Sequence, residues 1–458
     1  VKSVKLKAII LAAGAGTRMK SKLPKVLHKV CGRTMLNHVI DVAKGSMVQE
    51  CIVVVGHGAE DVKESLTPDV KTVLQKEQLG TGHALMMAEP YIDDGTILVL
   101  CGDGPLITEE TLNRTVAYHR EGNFKATVLT TDLANPKGLG RIVRNAEGQL
   151  EKIVEEKDAT EEEKAIIEVN SGIYCFDGEI LKEALPKLKN ENAQKEYYLT
   201  DILSIIRNMG FGVGVYKLEE YEEIMAVNSR EQLADVEAIM RRRIAKKHMA
   251  NGVTIMNPEH VYIEKTVTIG ADTILYPGVI LTGNTVIGED CIIGQNSRIE
   301  DTIIGDGVEV QSSTIIHSKV GNFTHIGPYA YLRPNSNIGE HVKIGDFVEV
   351  KNSNIGDHSK ASHLAYIGDA DVGQNVNIGC GVVFVNYDGK NKHRTTVEDN
   401  SFVGSNSNLI APVTVKESGY VACGSTITKD VPEGSLAVAR ARQENKEGWT
   451  KRKGLLKK

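Results

Sequence analysis

No two of the seven cysteines form a CxxC pair; they stand alone at positions 31, 51, 101, 175, 291, 380 and 423. That excludes a disulfide framework and a zinc knuckle, and it predicts reduced thiols and a cytoplasmic protein. No run of about 18 apolar residues occurs, so no membrane span is predicted. The apolar stretch Ala8–Ala13 is too short for a secretory leader and runs directly into glycine. An excess of positive charge is also missing. The net charge is −6, which argues against nucleic acid as a partner. With 25% charged and 41% hydrophobic residues, the 458-residue chain has the profile of a water-soluble protein of several domains.

What is present is a repeat. An aliphatic residue returns at every sixth position through Ile269, Leu275, Leu281, Ile287, Ile293 and Ile299. The count restarts at Ile304 and Val310. It then runs cleanly through Val320, Ile326, Leu332, Ile338, Ile344 and Val350, and again from Val397 through Val403, Leu409, Val415 and Val421 to Ile427. A six-residue period is the signature of a parallel β-helix, whose aliphatic residues point into the coil. Glycine often follows them, as at Gly270, Gly288, Gly321 and Gly339, where a tight turn is expected to tolerate no bulky side chain. Coils that cannot bury a face alone must stack; at about 4.8 Å per coil, about ten coils make a prism some 50 Å long.

The first 230 residues have another rhythm. Apolar runs at Leu6–Leu11, Cys51–Val55, Thr96–Leu100 and Ala126–Thr130 alternate with helical patterns at Met35–Ala43, Ala59–Leu66, Gly82–Ala88 and Glu109–Arg120. This predicts a mostly parallel sheet covered on both faces, with ligands at the carboxyl ends of its strands. The loop after the first strand, Leu11-Ala12-Ala13-Gly14-Ala15-Gly16-Thr17-Arg18-Met19, lets backbone N–H groups approach an anion. Arg18 and Lys25 add positive charge. Met19 stands where a dinucleotide fingerprint needs a third glycine, and no Gly-Lys-Ser/Thr follows, so the loop is not a P-loop. Gln75, Gln78, Gly80, Thr81 and Gly82 offer amide and hydroxyl groups to a flat heterocycle. Asp103, at a strand tip in Cys101-Gly102-Asp103-Gly104-Pro105-Leu106, suits a hard cation beside phosphates.

In order and spacing these segments resemble the sugar-1-phosphate nucleotidyltransferase family. Gly138-Leu139-Gly140-Arg141-Ile142, Ile153 to Ala159, Val169 to Ile173 and Val227-Asn228 continue the likeness. The resemblance implies an α/β, Rossmann-like mixed sheet. It implies that Leu11, Ala12, Ala13, Gly14, Gln75, Gly80 and Thr81 hold the uracil and ribose of UTP, beside Cys101 and Gly102. Arg18 and Lys25 would neutralise the triphosphate. Gly140, Glu155 and Asn170 would fix N-acetylglucosamine-1-phosphate, and Asp103 and Asn228 would bind Mg²⁺. The reaction implied is attack of a sugar-phosphate oxygen on the α-phosphorus with loss of pyrophosphate, which needs positioning and charge neutralisation more than an acid–base pair. Gly104 departs from the family, which more often has a larger residue there.

Ser229 to Ala250 predicts one long helix, with Leu233, Val236, Ile239 and Met240 on one face and a solvated basic end at Arg241-Arg242-Arg243 and Lys246-Lys247. The expected organisation is a nucleotidyltransferase domain over 1–228, a linker helix over 229–251, a β-helix over 252–441 and a basic tail over 442–458.

Hexad regularity fails between Gly379 and Val397, where a loop from Asn386 through Tyr387 and Lys392 to His393 leaves the coil. Arg333 and Lys351, 18 residues apart, are expected to stack, with Tyr366 in a comparable turn position, as a phosphate-binding patch. This half resembles the hexapeptide-repeat acyltransferases. The resemblance implies a left-handed coil, contrary to the usual crossover hand, and a homotrimer with acetyl-CoA between chains. It implies His363, in Ser362-His363-Leu364-Ala365-Tyr366, as general base, and glucosamine-1-phosphate on Arg333, Lys351, Tyr366, Asn377 and Lys392. Acetyl-CoA would contact Cys380, Asn386, Tyr387, Ser405, Cys423 and Arg440. Relatives generally carry small residues at the two cysteine positions, so sensitivity to alkylation is expected. Together the two resemblances cover roughly residues 5–450 and imply acetylation followed by uridylylation, yielding a cell-wall precursor. Three alternatives are weaker. A carbonic-anhydrase-like zinc site on His325, His358 and His363 conflicts with the N-terminal half. A non-catalytic assembly subunit does not need Arg18, Lys25, Asp103 and Asn228. A single-activity nucleotidyltransferase with the coil as scaffold does not need His363, Asn386, Tyr387 and Arg440.

Overall fold

The computed structural model describes residues 5–455 and divides into two compact units, residues 1–240 and 241–458. The last three residues of the basic tail lie outside the described residues.

The first unit is built on one sheet. Its strands are β1 (Leu6–Ala12), β2 (Glu50–Val55), β3 (Lys71–Leu74), β4 (Thr96–Cys101), β5 (Ala126–Asp132), β6 (Arg141–Arg144), β7 (Leu150–Val154), β8 (Glu168–Asp177) and β9 (Val213–Leu218). The spatial order is β9-β5-β8-β4-β1-β2-β3, with β6 and β7 appended beside β8. β1, β2, β3 and β4 are mutually parallel. β8 enters antiparallel between β4 and β5, so the sheet is mixed. Helices α1 (Met35–Gly45), α2 (Ala59–Glu64), α3 (Thr81–Met87) and α4 (Glu109–Glu121) fall where the periodicity places them. The apolar runs of β1, β2 and β4 are buried on both faces, contributing Ile9, Ile52 and Val99 to one core and Ile10, Val53 and Leu100 to the other. A central parallel strand with both faces covered must read as a continuous apolar run.

A single helix, Arg230–Ala250, crosses the division between the units. Its apolar face is real: Val236 is buried, and Leu233, Ile239 and Met240 pack against Met19, Val30, Met35 and Leu106. Its basic end is not simply solvated. Arg241 donates to the carbonyls of Glu259 (2.8 Å) and Val261 (3.1 Å).

The second unit is a left-handed parallel β-helix. Strands of two to three residues pair in parallel with the strand one coil later, as in Ile274 with Ile292, Val286 with Ile303 and Arg298 with Thr314. One face of the prism is a separate nine-stranded sheet; the other two are joined by the nine-residue strands Lys343–Lys351 and Lys360–Gly368. The hexad aliphatics from Leu275 onward are buried, and only Ile269, in the first coils, is half-exposed.

The glycines behind them leave room that a side chain would fill, as expected, although the crowding comes from the next coil rather than from the turn itself. Gly270, Gly288, Gly321 and Gly339 are not in the left-handed conformation. That conformation falls two residues later, on Asp272, Asp290, Phe323 and His341. Glycine is needed because the next coil passes close by. A Cβ at Gly270 would come within 2.6 Å of the backbone of Gly288, and one at Gly321 within 2.6 Å of Gly339. A Cβ at Gly345 would overlap the carbonyl oxygen of Ser362. Gly345→Ala is therefore expected to lower stability by about 1–3 kcal/mol, read as a fall in the urea midpoint of the C-terminal transition.

Candidate functional sites

In the first unit the carboxyl ends of β1 and β4 open into a cleft of about 350 Å³. Leu11, Ala12, Ala13, Gly14, Lys25, Gln75, Gly80, Thr81, Cys101 and Asp103 line it. Gly102 lies beneath, its backbone N–H donating to Leu11 O at 2.9 Å. Gln75 is buried, and its amide donates to the carbonyl of Gly80 at 3.1 Å. Thr81 is held from outside, where its hydroxyl accepts from the backbone N–H of Leu199 (3.2 Å). Backbone bonds from Gly82 to Tyr197 O and from Tyr197 to Leu79 O, both 2.8 Å, pin the same loop. Arg18 is exposed on a single turn, Thr17–Met19, and is not part of the cleft lining.

The Lys25 ammonium donates to Asp103 Oδ2 and, at 2.9 Å, to Asn228 Oδ1. Three residues separated by as many as 203 positions thus meet at one point. Asp103 is delivered by β4, and its carbonyl accepts the backbone N–H of Val227 (3.0 Å), which places Asn228 beside it. Two side-chain oxygens already share one cation, and an all-oxygen pair suits a hard divalent ion. The position of Gly104 is sterically open, because a Cβ there would have no neighbour nearer than 3.8 Å.

Gly140, Glu155 and Asn170 also converge. A Cβ at Gly140 would lie 3.4 Å from Glu155 Oε1 and 3.6 Å from Asn170 Cβ, and Asn170 N donates to Gly140 O at 2.9 Å. Burial raises the pKa of Glu155 above the usual carboxylate range. Asn170 is oriented by Tyr174 Oη, which its amide reaches at 2.7 Å. Glu196, which lines the nucleotide cleft, and Thr200, which donates to Glu155 at 3.3 Å, were not among the expected residues. Both sit in a segment whose sequence has no pattern of its own.

On the β-helix the register stacks function. Ile344, Ala361, Ile378, Val403 and Val421 occupy successive coils of one face. Two residues beyond each stand Asp346, His363, Cys380, Ser405 and Cys423. The expected base and three of the expected acetyl-CoA contacts therefore form one column along a corner of the prism. His363 Nδ1 is 2.7 Å from Asp346 Oδ1. Its side chain is 61% exposed, so a substrate can reach the ring. The hydrogen bond from His363 holds the Asp346 carboxyl below its usual pKa. The same corner opens into a groove of about 530 Å³ lined by His325, Lys343, Asp346, Ser362 and His363. Arg440 lies near the foot of the column, its Cδ 3.9 Å from a Cβ built at Gly424.

Arg333 and Lys351 stack as expected, since Leu332 pairs with Val350. Tyr366 does not share their row. It pairs with Glu349, while Gly368 is the partner of Lys351, and the Tyr366 ring folds over the space that a side chain at Gly368 would fill. Both cations have carboxylate partners: Arg333 with Glu349 (2.8 Å) and Lys351 with Asp369 (3.5 Å). Asp369 is buried, and its carboxylate also accepts from Asn352 (2.6 Å) and Asn386. Burial opposes its ionisation, but these bonds and the charge of Lys351 prevail and hold its pKa low. The loop after Asn386 is clipped by Asp388, which accepts from Lys390 and Asn391 and pairs with His393. It carries Asn386 to Tyr366 Oη (3.4 Å). Lys392 faces Lys351 and Arg333, and Lys351 lowers its pKa. Tyr387 is exposed at the loop tip. Asn377 stays apart, on the neighbouring face in register with Lys360 and Phe402.

Sequence reasoning missed Asp346 and Asp369. Asp346 had a usable signal: it stands one coil before His363 in the same turn position. Asp369 had none, since an aspartate after glycine reads as an ordinary turn.

The fold and the two sites define a class, a nucleotidyltransferase joined to a hexapeptide-repeat transferase. The nucleotidyl transferase family matches residues 7–221, and the bacterial transferase hexapeptide family (six repeats) matches residues 317–352. Bifunctional protein GlmU of Alkaliphilus metalliredigens is 68% identical over 99% of this chain and 100% of its own length. GlmU of Clostridioides difficile is 62% identical over 98% of each chain, and that of a Geobacillus species 55% identical over 99% of each. The chain belongs to the GlmU family of bifunctional proteins.

None of the seven cysteines, all among the described residues, is in a disulfide, and of them Cys380 and Cys423 are exposed. Burial pushes the Cys101 and Cys175 thiols up to about 12 and Cys51 to about 11, so little thiolate forms near neutrality. Iodoacetamide at pH 8 is expected to label Cys380 and Cys423 first and to spare these three, as read by peptide mass spectrometry.

Proposed function

We infer that the chain acetylates glucosamine-1-phosphate with acetyl-CoA. It then transfers uridylyl from UTP to the resulting N-acetylglucosamine-1-phosphate, giving UDP-N-acetylglucosamine and pyrophosphate for cell-wall synthesis. The observation that carries this reading is a pair of side-chain clusters, one in each unit, on a chain aligned along nearly its whole length with bifunctional relatives.

In the first unit, Gln75, Gly80 and Thr81 receive the uracil end of UTP, and the loop from Leu11 to Gly14 passes beneath the ribose. Lys25 and Arg18 balance phosphate charge, Arg18 from its exposed turn. Gly140 leaves room for the sugar between Glu155 and Asn170, whose polar atoms bind it. Mg²⁺ fits the oxygen pair of Asp103 and Asn228; when bound it neutralises charge on the phosphates. The protein's contribution is to align the sugar-phosphate oxygen with the α-phosphorus in a site whose donors are already fixed.

In the β-helix, Arg333, Lys351 and Lys392 meet the phosphate of glucosamine-1-phosphate, with Tyr366 beside them, while Asn377 reaches toward the sugar from the neighbouring face. The amine attacks the thioester carbonyl and loses its proton to His363, and as the acyl C–S bond breaks the departing CoA sulfur takes that proton and leaves as the thiol. Asp346 fixes the ring with its other nitrogen free for that proton. Cys380, Ser405 and Cys423, stacked below the base, follow the extended arm of acetyl-CoA, while Asn386, Tyr387 and Arg440 meet it at the sides.

The boundaries that go with this reading are 1–228 for uridylyl transfer, 229–251 for the linker, 252–441 for acetyl transfer and 442–458 for the tail. A homotrimer is supported by outward apolar side chains along the prism, such as Ile280, Val286, Ile292 and Ile303. A cytoplasmic setting is supported by seven cysteines outside any disulfide. Among the described residues no helix is long and apolar enough to cross a membrane.

The test is separability. His363→Ala is expected to lower acetyl transfer by about a hundredfold or more and leave uridylyl transfer intact, while Asp103→Asn does the reverse by about two orders of magnitude. Coupled assays for free CoA and for pyrophosphate distinguish the two, and parallel loss of both in either variant contradicts the assignment. Asp346→Asn is expected to cut the acetyl-transfer kcat by about tenfold or more with little change in the KM for glucosamine-1-phosphate. Asp346→Glu is expected to restore part of the rate.

A further inference from the structure

One feature of the nucleotide cleft goes beyond the roles assigned to its residues. The two side-chain oxygens suited to a divalent cation are bonded to a cation of the protein itself. Lys25 Nζ sits 2.5 Å from Asp103 Oδ2 and 2.9 Å from Asn228 Oδ1. The ammonium is largely sheltered, the two side chains being 13% and 17% exposed. Both acceptors are anchored independently of it: Asp103 O takes the N–H of Val227, and Asn228 N donates to Gln232 Oε1 at 2.8 Å. The stem of Lys25 is guided as well. It lies against Gly16, where a Cβ would come within 2.6 Å of Lys25 Cβ.

We propose that Lys25 is a tethered counter-cation that closes the Asp103–Asn228 pair in the empty enzyme, so that a divalent ion enters only by displacing its ammonium. The inference rests on the reading that this pair holds the metal. The physical ground is competition for the same lone pairs. A divalent ion needs these oxygens at about 2.0–2.1 Å. An ammonium within hydrogen-bond distance of the same atoms would then be repelled at close range in a poorly hydrated site. Lysine suits the task because its charge is a point at the end of a flexible stem. Once displaced, the ammonium remains in the cleft that Lys25 lines with Gly14 and Ala15, where the phosphates of the nucleotide offer it a new anionic partner. Loading of the metal and delivery of Lys25 to the phosphates are then one exchange, and a bare divalent ion without nucleotide binds weakly.

The experiment is binding of Mn²⁺ alone to the full-length protein without nucleotide, with free Mn²⁺ measured by electron paramagnetic resonance. Lys25→Met keeps the stem and removes the charge, and it is expected to tighten Mn²⁺ binding by about tenfold or more. Lys25→Arg keeps the charge and is expected to stay near the parent affinity. Asp103→Asn combined with Lys25→Met is expected to lose the gain. Unchanged or weaker binding in Lys25→Met, with Asp103 still required, overturns the counter-cation role and leaves the metal site standing. Mn²⁺ binding indifferent to Asp103 in both backgrounds overturns the metal assignment itself.

Discussion

Each coil of the C-terminal unit can bury its aliphatic residue only against the coils above and below it, and this constraint governs the rest. Stacking fixes the register, so a residue at a given turn position stands directly over its counterpart one coil earlier. Chemistry placed at equivalent positions thereby becomes a straight column. Asp346, His363, Cys380, Ser405 and Cys423 are spread over almost eighty residues of sequence, yet the scaffold lines them up without any dedicated element. The same closeness demands glycine wherever one backbone nearly touches the next, as at Gly345 beneath Ser362.

The N-terminal unit solves the positioning problem by convergence. Strand tips and the loops behind them bring Lys25, Asp103 and Asn228 together from three distant parts of the chain. The antiparallel strand β8, entering between β4 and β5, sets Asn170 next to Gly140. One unit thus relies on translation along an axis and the other on a crossing point.

How much of this could be read in advance differed with the kind of signal. Hexad spacing predicted the coil and the stacking of Arg333 over Lys351, because register follows from counting. Apolar runs predicted β1, β2, β4 and β5 almost to the residue, since buried parallel strands leave an uninterrupted apolar run. The short strands β6 and β7, half-exposed and polar, left no such trace. Periodicity showed where glycine recurs and that a side chain would be crowded there, but not that the crowding comes from the neighbouring coil. Site residues were accessible where a motif carried them. Asp346, Asp369, Glu196 and Thr200 act through tertiary neighbours, and their local sequence is indistinguishable from turn or loop.

The clipped excursion between Asn386 and His393 bears on how such a scaffold can diversify. Its turn is secured by its own aspartate, and its return is anchored by the two-pronged hold of Arg394 on Asp371. Val383 before it and Val397 after it rejoin the stack in unbroken alignment with their neighbours. Such a segment behaves as a detachable cassette. Its length and composition can change while the coils on either side keep their alignment, which separates the excursion from the upkeep of the fold.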